Sequence, residues 1–208
     1  YLVYSYFFIE LGNPVWIYLV YIYYGIFLKQ HLEYSAVDVI QHNFYLSVWG
    51  LVLGIIALIL VTKIHPLQIM QIKLIIFCIF LPFFMWILEK EITILNVVML
   101  QIFIKTFCPT ASPSHSVIFT HFPILKRFTA VSMLYALSRA LMYSVTSVGI
   151  VYLVEYFGVY GLLIVIVPIV IGYSYGLNTF IQLEKEAGIY HKKNLWSIAF
   201  LEKNIYQA

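Results

Sequence analysis

Three ionisable side chains interrupt segments of the sequence that are otherwise apolar enough to cross a membrane. They are Glu10, Lys105 and Arg139, and each lies inside a hydrophobic run. A charge at the centre of a membrane helix costs about 2.5–3.5 kcal/mol on insertion scales, so each needs a partner or water. Two arrangements would meet that need. In one, Glu10 takes a proton in a transport cavity, where the two cations hold an anionic group or pair with Glu10. In the other, a buried ion pair only fixes the helix register.

Each of the three residues lies on a polar face when successive residues are placed about 100° apart around a helix. The face of Glu10 also contains Tyr6, Asn13, Tyr21 and Tyr24. The face of Lys105 also contains Gln101, Cys108 and Ser112, and the face of Arg139 also contains Ser132, Tyr135, Tyr143 and Thr146. Three segments with one polar face each predict a shared cavity. Its candidate substrate-binding or coupling residues are Glu10, Asn13, Tyr21, Tyr24, Lys105, Ser112 and Arg139. Tyrosines are more often packing residues, although aromatic walls also suit a quaternary ammonium group.

Residues 108–116 interrupt the fourth apolar segment with the sequence Cys-Pro-Thr-Ala-Ser-Pro-Ser-His-Ser. Two prolines and small hydroxyl residues predict a break in the helix there. The carbonyl groups released by such a break must face protein or a wet cavity. Broken helices of this kind often line transporter sites, and a kink solvated by neighbouring helices is the alternative.

The elements that position these residues are long apolar segments in a chain of 208 residues that is 63% hydrophobic and 10% charged. Soluble domains carry roughly 25% charged residues, so the composition excludes a soluble globular domain, a disordered chain and a nucleic-acid binder. The segments are Leu2–Leu28, Asn43–Thr62, Ile72–Leu88, Ile92–Phe119, Thr129–Tyr156 and Tyr160–Phe180. Their lengths suit membrane helices, whereas a β-barrel would have ~10-residue alternating segments.

The predicted fold is therefore an all-α bundle of six transmembrane helices over residues 1–180, followed by a cytoplasmic tail over 181–208. The pairs Gly50–Gly54 and Gly172–Gly176 have the small-residue spacing that permits close helix contact. An even number of crossings places both termini on one side. Eight basic residues share that side, against Lys29 and Lys90 on the other: Lys63, Lys73, Lys126, Arg127, Lys185, Lys192, Lys193 and Lys203. This imbalance predicts that both ends are cytoplasmic.

Residues that would indicate an enzyme or a metal site are missing from the sequence. The histidines do not have metal-ligand spacing: His31 and His42 fall in a predicted outer loop, and His65 and His121 in inner loops. The chain has no nucleophile elbow, no P-loop and no glycine-rich dinucleotide turn. The acids in the predicted outer loops are Glu33, Asp38, Glu89 and Glu91. No residue is spaced from any of them in a way that would form a catalytic pair. We therefore expect no catalytic site, no metal and no cofactor.

Several sequence stretches are similar to parts of one transporter superfamily. The stretch His121-Phe-Pro-Ile-Leu-Lys-Arg-Phe-Thr129 resembles the element before the eleventh helix of major facilitator superfamily transporters. Residues 136–140 and 151–158 look like that helix and its outer end. Residues 13–28 and 32–35 are similar to the seventh helix and outer loop of the proline/betaine transporter group of metabolite:proton symporters. Proteins of that group in obligate intracellular bacteria are the most similar.

The resemblance spans about residues 5–188 and implies the C-terminal six-helix half of a twelve-helix transporter in a bacterial inner membrane. It implies proton-coupled uptake of a zwitterionic osmolyte such as proline or betaine by alternating access. The implied partners are the lipid bilayer, the substrate, protons and an N-terminal six-helix half. Glu10 would take the proton, Lys105 and Arg139 would hold the substrate carboxylate, and a cytoplasmic gating loop would contain Phe122, Pro123 and Arg127.

One departure from the family pattern supports an alternative. The loop over residues 62–73 lacks the Asp and Arg residues usual there and keeps only Lys63 and Lys73. The chain also begins within an apolar segment at Tyr1, so we expect a piece of a longer protein. The alternative function is a non-transporting remnant of a split or decaying transporter gene.

Overall fold

The computed structural model describes residues 1–89, 93–188 and 190, and in that part of the chain it is helical with no strand. Its α-helices are α1 Leu2–Ile17, α2 Tyr24–His31, α3 Ala36–Lys63, α4 Pro66–Glu89, α5 Ile94–Phe107, α6 His115–Thr120, α7 Arg127–Ser144, α8 Ile150–Phe157 and α9 Gly161–Glu186. Two π-helical segments, Tyr18–Tyr23 and Val145–Gly149, join α1 to α2 and α7 to α8. Short 3₁₀ turns cover Ser112–Ser114 and Gly158–Tyr160.

Local capping sets several helix ends. Ser35 and Asp38 form a reciprocal capping box at the start of α3, where the Ser35 hydroxyl accepts from the Asp38 N–H at 3.2 Å. Thr93 caps α5 in a similar way by accepting from the Asn96 N–H at 3.3 Å. The helix α4 begins at Pro66. Proline suits a first helical position because it lacks a backbone N–H, and an N–H at that position would have no intrahelical partner.

Five helical segments are long and apolar enough to cross a membrane, which is typical of a membrane protein. They are Leu2–His31, Ala36–Lys63, Pro66–Phe84, Ile94–Thr120 and Arg127–Glu186. The predicted count of six is not confirmed, because the fifth and sixth predicted segments fall in one stretch of 60 residues. Within that stretch Gly158 has a φ of 59°, which interrupts the regular helix between α8 and α9.

The predicted boundaries shift at several places. Helix α3 begins seven residues before the predicted Asn43, and α4 begins six residues before the predicted Ile72. Helix α9 continues past Phe180 to Glu186. Residues 189 and 191–208, which include most of the predicted tail, lie outside the described part of the chain. Other sequence predictions that fall outside it concern Lys90, Glu91, Lys192, Lys193 and Lys203.

Helix α1 lies at the centre of the packing and contacts chiefly α9 and α7. The glycine pair on α9 permits this approach: a Cβ at Gly176 would collide with the Ser5 carbonyl oxygen, and one at Gly172 would lie 3.0 Å from the Phe8 ring. The prediction of close helix contact is thus confirmed for this pair. The other pair differs, since a Cβ at Gly54 would meet nothing within 4 Å.

Burial is uneven along the chain. In the most apolar window of Leu2–His31, 56% of the residues are buried, compared with 6% in that of Ala36–Lys63. Helix α3 packs on α5 and α2 through a narrow strip and presents the rest of its apolar surface outward. Such a surface fits contact with lipid.

Candidate functional site

Glu10 on α1 is a buried carboxylate with two basic partners. It is 1% exposed. One oxygen, Oε1, lies 3.0 Å from Nε2 of His115, and the other, Oε2, lies 3.6 Å from Nη2 of Arg139. Because an isolated carboxylate is very costly in a low-dielectric interior, these partners compensate its charge. The structure therefore brings Glu10 and Arg139 together, a contact that is compatible with both sequence-based arrangements.

Aromatic rings complete the surroundings of this ion pair. The Arg139 guanidinium lies 3.7 Å from the centroid of the Tyr135 ring, a cation–π geometry. The His115 ring stacks on Phe119 with a centroid distance of 5.4 Å. The His115 side chain is 37% exposed and that of Arg139 is 17% exposed. The buried carboxylate therefore contacts two basic side chains that are themselves partly exposed. We call Glu10, His115 and Arg139 the Glu10 cluster.

The break after α5 places His115 in this cluster. Helix α5 ends at Phe107, before Pro109, and helical structure resumes only at Ser112. The carbonyl oxygens of the break accept hydrogen bonds from side chains of other helices. The Trp16 indole donates to the Pro109 oxygen at 3.0 Å, and the Tyr173 hydroxyl donates to the Thr110 oxygen at 3.1 Å. The predicted break is confirmed, and these two of its carbonyls face protein.

A cavity of about 440 Å³ lies between α1, α3, α4 and α5, and none of the three residues of the Glu10 cluster is in its lining. Asn13, Tyr21, Lys105 and Ser112 line it, and so does Lys73. The volume lies within the usual range for small-molecule sites. No Asp or Glu is among the lining residues in the described part of the chain. The cavity thus combines basic, amide and hydroxyl groups.

Lys105 enters this cavity without a carboxylate partner. Its Nζ lies 4.9 Å from the centroid of the Tyr21 ring. No carboxylate oxygen of the described residues lies within 4.0 Å of it. Gly50 on α3 makes room for the side chain, since a Cβ there would lie 2.6 Å from Lys105 Cε. A π-system and neighbouring polar groups, but no anion, therefore surround this ammonium group.

The candidate residues from the sequence divide between two places. Glu10 and Arg139 belong to the Glu10 cluster, and four others line the cavity. Tyr24 belongs to neither, because it is fully buried in an apolar cluster and its hydroxyl finds no hydrogen-bond partner among the described residues. The π-helical segment Tyr18–Tyr23 explains the difference for the first helix. A uniform rotation of 100° per residue does not hold beyond Tyr18.

Side chains of α3 and α5 contact the π-helical segment Tyr18–Tyr23, and one of them donates a hydrogen bond to a backbone carbonyl oxygen there. Gln101, which is fully buried, donates from Nε2 to the Val20 carbonyl oxygen at 2.8 Å. Its Oε1 lies 2.7 Å from Nε2 of His42. His42 thus lies in α3 and not in a loop, because the capping box starts that helix early. Tyr21, at the centre of the segment, has its hydroxyl 3.3 Å from that of Ser47, which in turn donates to the Asn43 carbonyl oxygen at 2.9 Å.

Sequence reasoning missed two residues of the site. Lys73 was assigned to a cytoplasmic loop, but it lies two turns into α4 and faces the cavity. Its loop assignment followed from the comparison of residues 62–73 with a cytoplasmic loop of the transporter family, whereas α4 begins at Pro66. His115 was placed in the membrane without a role, and only the direction of the chain after Pro109 brings it to Glu10.

The loop residues implied by the family resemblance lie at the start of α7. Phe122 is buried, and Arg127 donates from Nε and Nη2 to its carbonyl oxygen, each at 3.2 Å.

A second buried carboxylate, that of Glu184 near the end of α9, contacts Nε2 of His121 at 2.7 Å and Nε2 of His65 at 3.5 Å. The carboxylate thus connects the ends of three helices.

The cavity, with two lysines and no acid among its described lining residues, is suited to a small anionic group. Among the described residues no group of three or more His, Cys, Asp or Glu side chains is placed to hold a metal ion. Comparisons of the chain with protein-family models, with curated proteins and with solved structures give no match.

Proposed function

We propose that this chain is the C-terminal six-helix half of a secondary transporter of the major facilitator type. The observation that carries the proposal is the cavity of about 440 Å³ among apolar helices, with Lys73 and Lys105 facing it and no acid in its described lining. Polar and ionisable groups that face a cavity inside a membrane bundle typically mark a substrate or ion pathway. The transported solute is a small carboxylate-bearing molecule, and the resemblance implies a zwitterionic osmolyte such as proline or betaine.

In this proposal the Glu10 cluster couples transport to protons. Glu10 is 1% exposed and contacts two basic groups, and in the proposal it takes the proton that accompanies the solute. Movement of α7 or α6 relative to α1 would lengthen these contacts. The partly exposed His115 connects the buried carboxylate with the outside of the described bundle.

Six crossings, with both ends in the cytoplasm of a bacterium, form part of the proposal. We assign two crossings to Arg127–Glu186, one before and one after Gly158. A single helix of that length would extend about 90 Å, roughly three times the hydrocarbon thickness. Contacts of α1 with both α7 and α9, and of α8 with α9, support a chain that folds back at this glycine.

Uptake by transport-deficient bacterial cells tests the proposal. The cells express the chain alone or with a candidate N-terminal six-helix half, and the solutes are radiolabelled proline, betaine and short carboxylates. We expect accumulation only with both halves, and its loss on addition of a protonophore. Lys105→Ala should lower uptake at least tenfold, whereas Lys63→Ala, an exposed lysine at the end of α3, should not.

The main contradicting result would be uptake that is unchanged in both Lys105→Ala and Arg139→Ala. The alternative function, a non-transporting remnant, would give no uptake of any solute in either expression arm despite confirmed membrane insertion. The absence of Asp and Arg from residues 62–73 favours that alternative, because the corresponding loop of the family usually contains these residues.

A further inference from the structure

The charge of the cavity is not balanced by the protein. Lys73 comes from α4 and Lys105 from α5, and both line the same cavity. Neither ammonium group has a carboxylate oxygen of the described residues within 4.0 Å. Two like charges around one space repel each other, and in a low-dielectric environment the repulsion is larger than in water.

The buried acids of the described residues are already engaged elsewhere. Glu10 contacts His115 and Arg139, and Glu184 contacts His65 and His121. Neither acid lines the cavity. Within the described chain, no carboxylate compensates the two lysines, and this favours a bound anion as their counter-charge.

The neutral groups of the lining also favour an acceptor-rich ligand. Asn13 and Ser112 offer an amide and a hydroxyl to the cavity. Tyr21, whose hydroxyl contacts the Ser47 hydroxyl at 3.3 Å, also lines the cavity. Its ring face lies next to Lys105 Nζ, at 4.9 Å from the centroid, and is thus occupied by a cation of the protein. A ligand cation would compete with this lysine for the ring.

We propose that this cavity selects solutes with two acidic groups, of which short dicarboxylates are the class, and that Lys73 and Lys105 each bind one carboxylate. The proposal rests on the proposed function in that it takes this cavity as the solute site. It narrows the solute from any carboxylate to a dianion. A zwitterion, with one carboxylate and one cation, would leave one lysine without a counter-charge and would bring a third positive charge into the cavity.

Calorimetric binding to the chain, alone and together with a candidate N-terminal six-helix half, in phosphatidylcholine nanodiscs tests this selectivity, since that lipid has no net negative headgroup to occupy the site. The probes are succinate, butyrate and betaine. We expect succinate to bind at least tenfold more tightly than the other two. Lys73→Met should reduce succinate affinity to that of butyrate and leave butyrate affinity within twofold. Lys63→Met, at an exposed lysine, is the matched control.

Lys73→Arg and Lys105→Arg keep the charge and guard against a folding artefact in the methionine variants. We expect both to retain the preference for succinate over butyrate. Betaine binding equal to or tighter than succinate binding would overturn the proposal, as would a Lys73→Met variant with unchanged succinate affinity. Absence of succinate binding would overturn it as well.

These outcomes are distinguishable from a failure of the proposed function. Succinate binding with no uptake of any solute would contradict transport and leave the ligand class intact. Betaine or proline uptake together with absent succinate binding would overturn the ligand class and leave transport standing.

Discussion

At the scale of single residues, the Glu10 cluster combines one deeply buried carboxylate with partners of graded exposure. Glu10 is 1% exposed, while the Arg139 side chain is 17% exposed. Removal of one member of a buried ion pair is more damaging than removal of both, because the remaining charge stays in a low-dielectric site. The cluster thus stabilises the contact between α1 and α7 as well as providing an ionisable group.

A double-mutant cycle on this pair checks that reasoning. We expect Glu10→Ala to lower the free energy of unfolding by about 3 kcal/mol, with Arg139→Ala lowering it somewhat less. The double variant should lose clearly less than the sum of the two. Unfolding in mixed micelles, followed by circular dichroism, measures these values.

The control for the cycle is Glu155→Ala, at an exposed acid on α8, which should change the free energy of unfolding by less than about 0.5 kcal/mol. Additive effects of the two cluster variants would show that Glu10 and Arg139 do not interact.

Gly50 offers a second test at this scale, because it governs the position of Lys105. A Cβ at residue 50 would lie 2.6 Å from Lys105 Cε, so Gly50→Ala must displace the flexible lysine side chain. We expect an approximately tenfold loss of succinate affinity with little change in thermal stability, since alanine favours the helix. Gly54→Ala is the matched variant one turn further along, where a Cβ would meet nothing within 4 Å. Equal affinities of the two variants would contradict this prediction.

At the scale of elements, the sequence predicts the broken fourth segment well and the π-helical segment not at all. Pro109 lacks an N–H, and it is followed within four residues by two small hydroxyl residues and Pro113, so the break has a local signal. Single prolines without such neighbours remain inside helices, as Pro14, Pro82 and Pro168 do. The π-helical segment Tyr18–Tyr23 has no such local signal. Its Val20 carbonyl is satisfied by Gln101, which is 81 residues away in the sequence. For the same reason, the position of Tyr21 on the cavity wall depends on tertiary contacts.

Gln101→Leu tests whether that contact maintains the π-helical segment. The variant removes the hydrogen bond to Val20 and the contact with His42, so it should lower the free energy of unfolding by about 1–3 kcal/mol. We also expect faster amide hydrogen exchange in the peptide that contains Tyr18–Tyr23.

Gln41→Leu provides the comparison for this variant, since the Gln41 amide contacts only the exposed Tyr45 hydroxyl among the described hydrogen bonds. Unchanged hydrogen exchange in Gln101→Leu would indicate that the segment is π-helical for another reason.

At the scale of the whole molecule, composition and run length are sufficient to predict an all-helical, apolar protein. They are insufficient to count its crossings, because that count depends on where the chain reverses. The stretch Arg127–Glu186 contains no long polar loop, and only Gly158, with its positive φ, interrupts the regular helix between α8 and α9. Lys73 and His115 were missed for a related reason: their roles follow from which helices meet.

Cysteine labelling tests the proposed reversal at Gly158. In a background with both Cys78→Ser and Cys108→Ser, single cysteines replace Lys126, Glu155 or Glu186, all of which are exposed. We expect a membrane-impermeant maleimide added outside intact cells to label only position 155. Permeabilised cells should allow labelling of all three. Labelling of positions 155 and 186 from the same side would contradict the assignment of two crossings to this stretch.

Trp16 gives the molecule an optical signal of its own. Its indole is 3% exposed, donates to the Pro109 oxygen and lines the cavity, whereas Trp49 is 38% exposed and Trp86 55%. Aqueous and lipid-borne quenchers will therefore suppress the emission of the outer tryptophans first. In a Trp196→Phe variant, which removes the tryptophan outside the described residues, the residual fluorescence will come largely from Trp16, which contacts both the helix break and the cavity. Its emission wavelength can therefore follow occupancy of the cavity and movement of the break without any added dye.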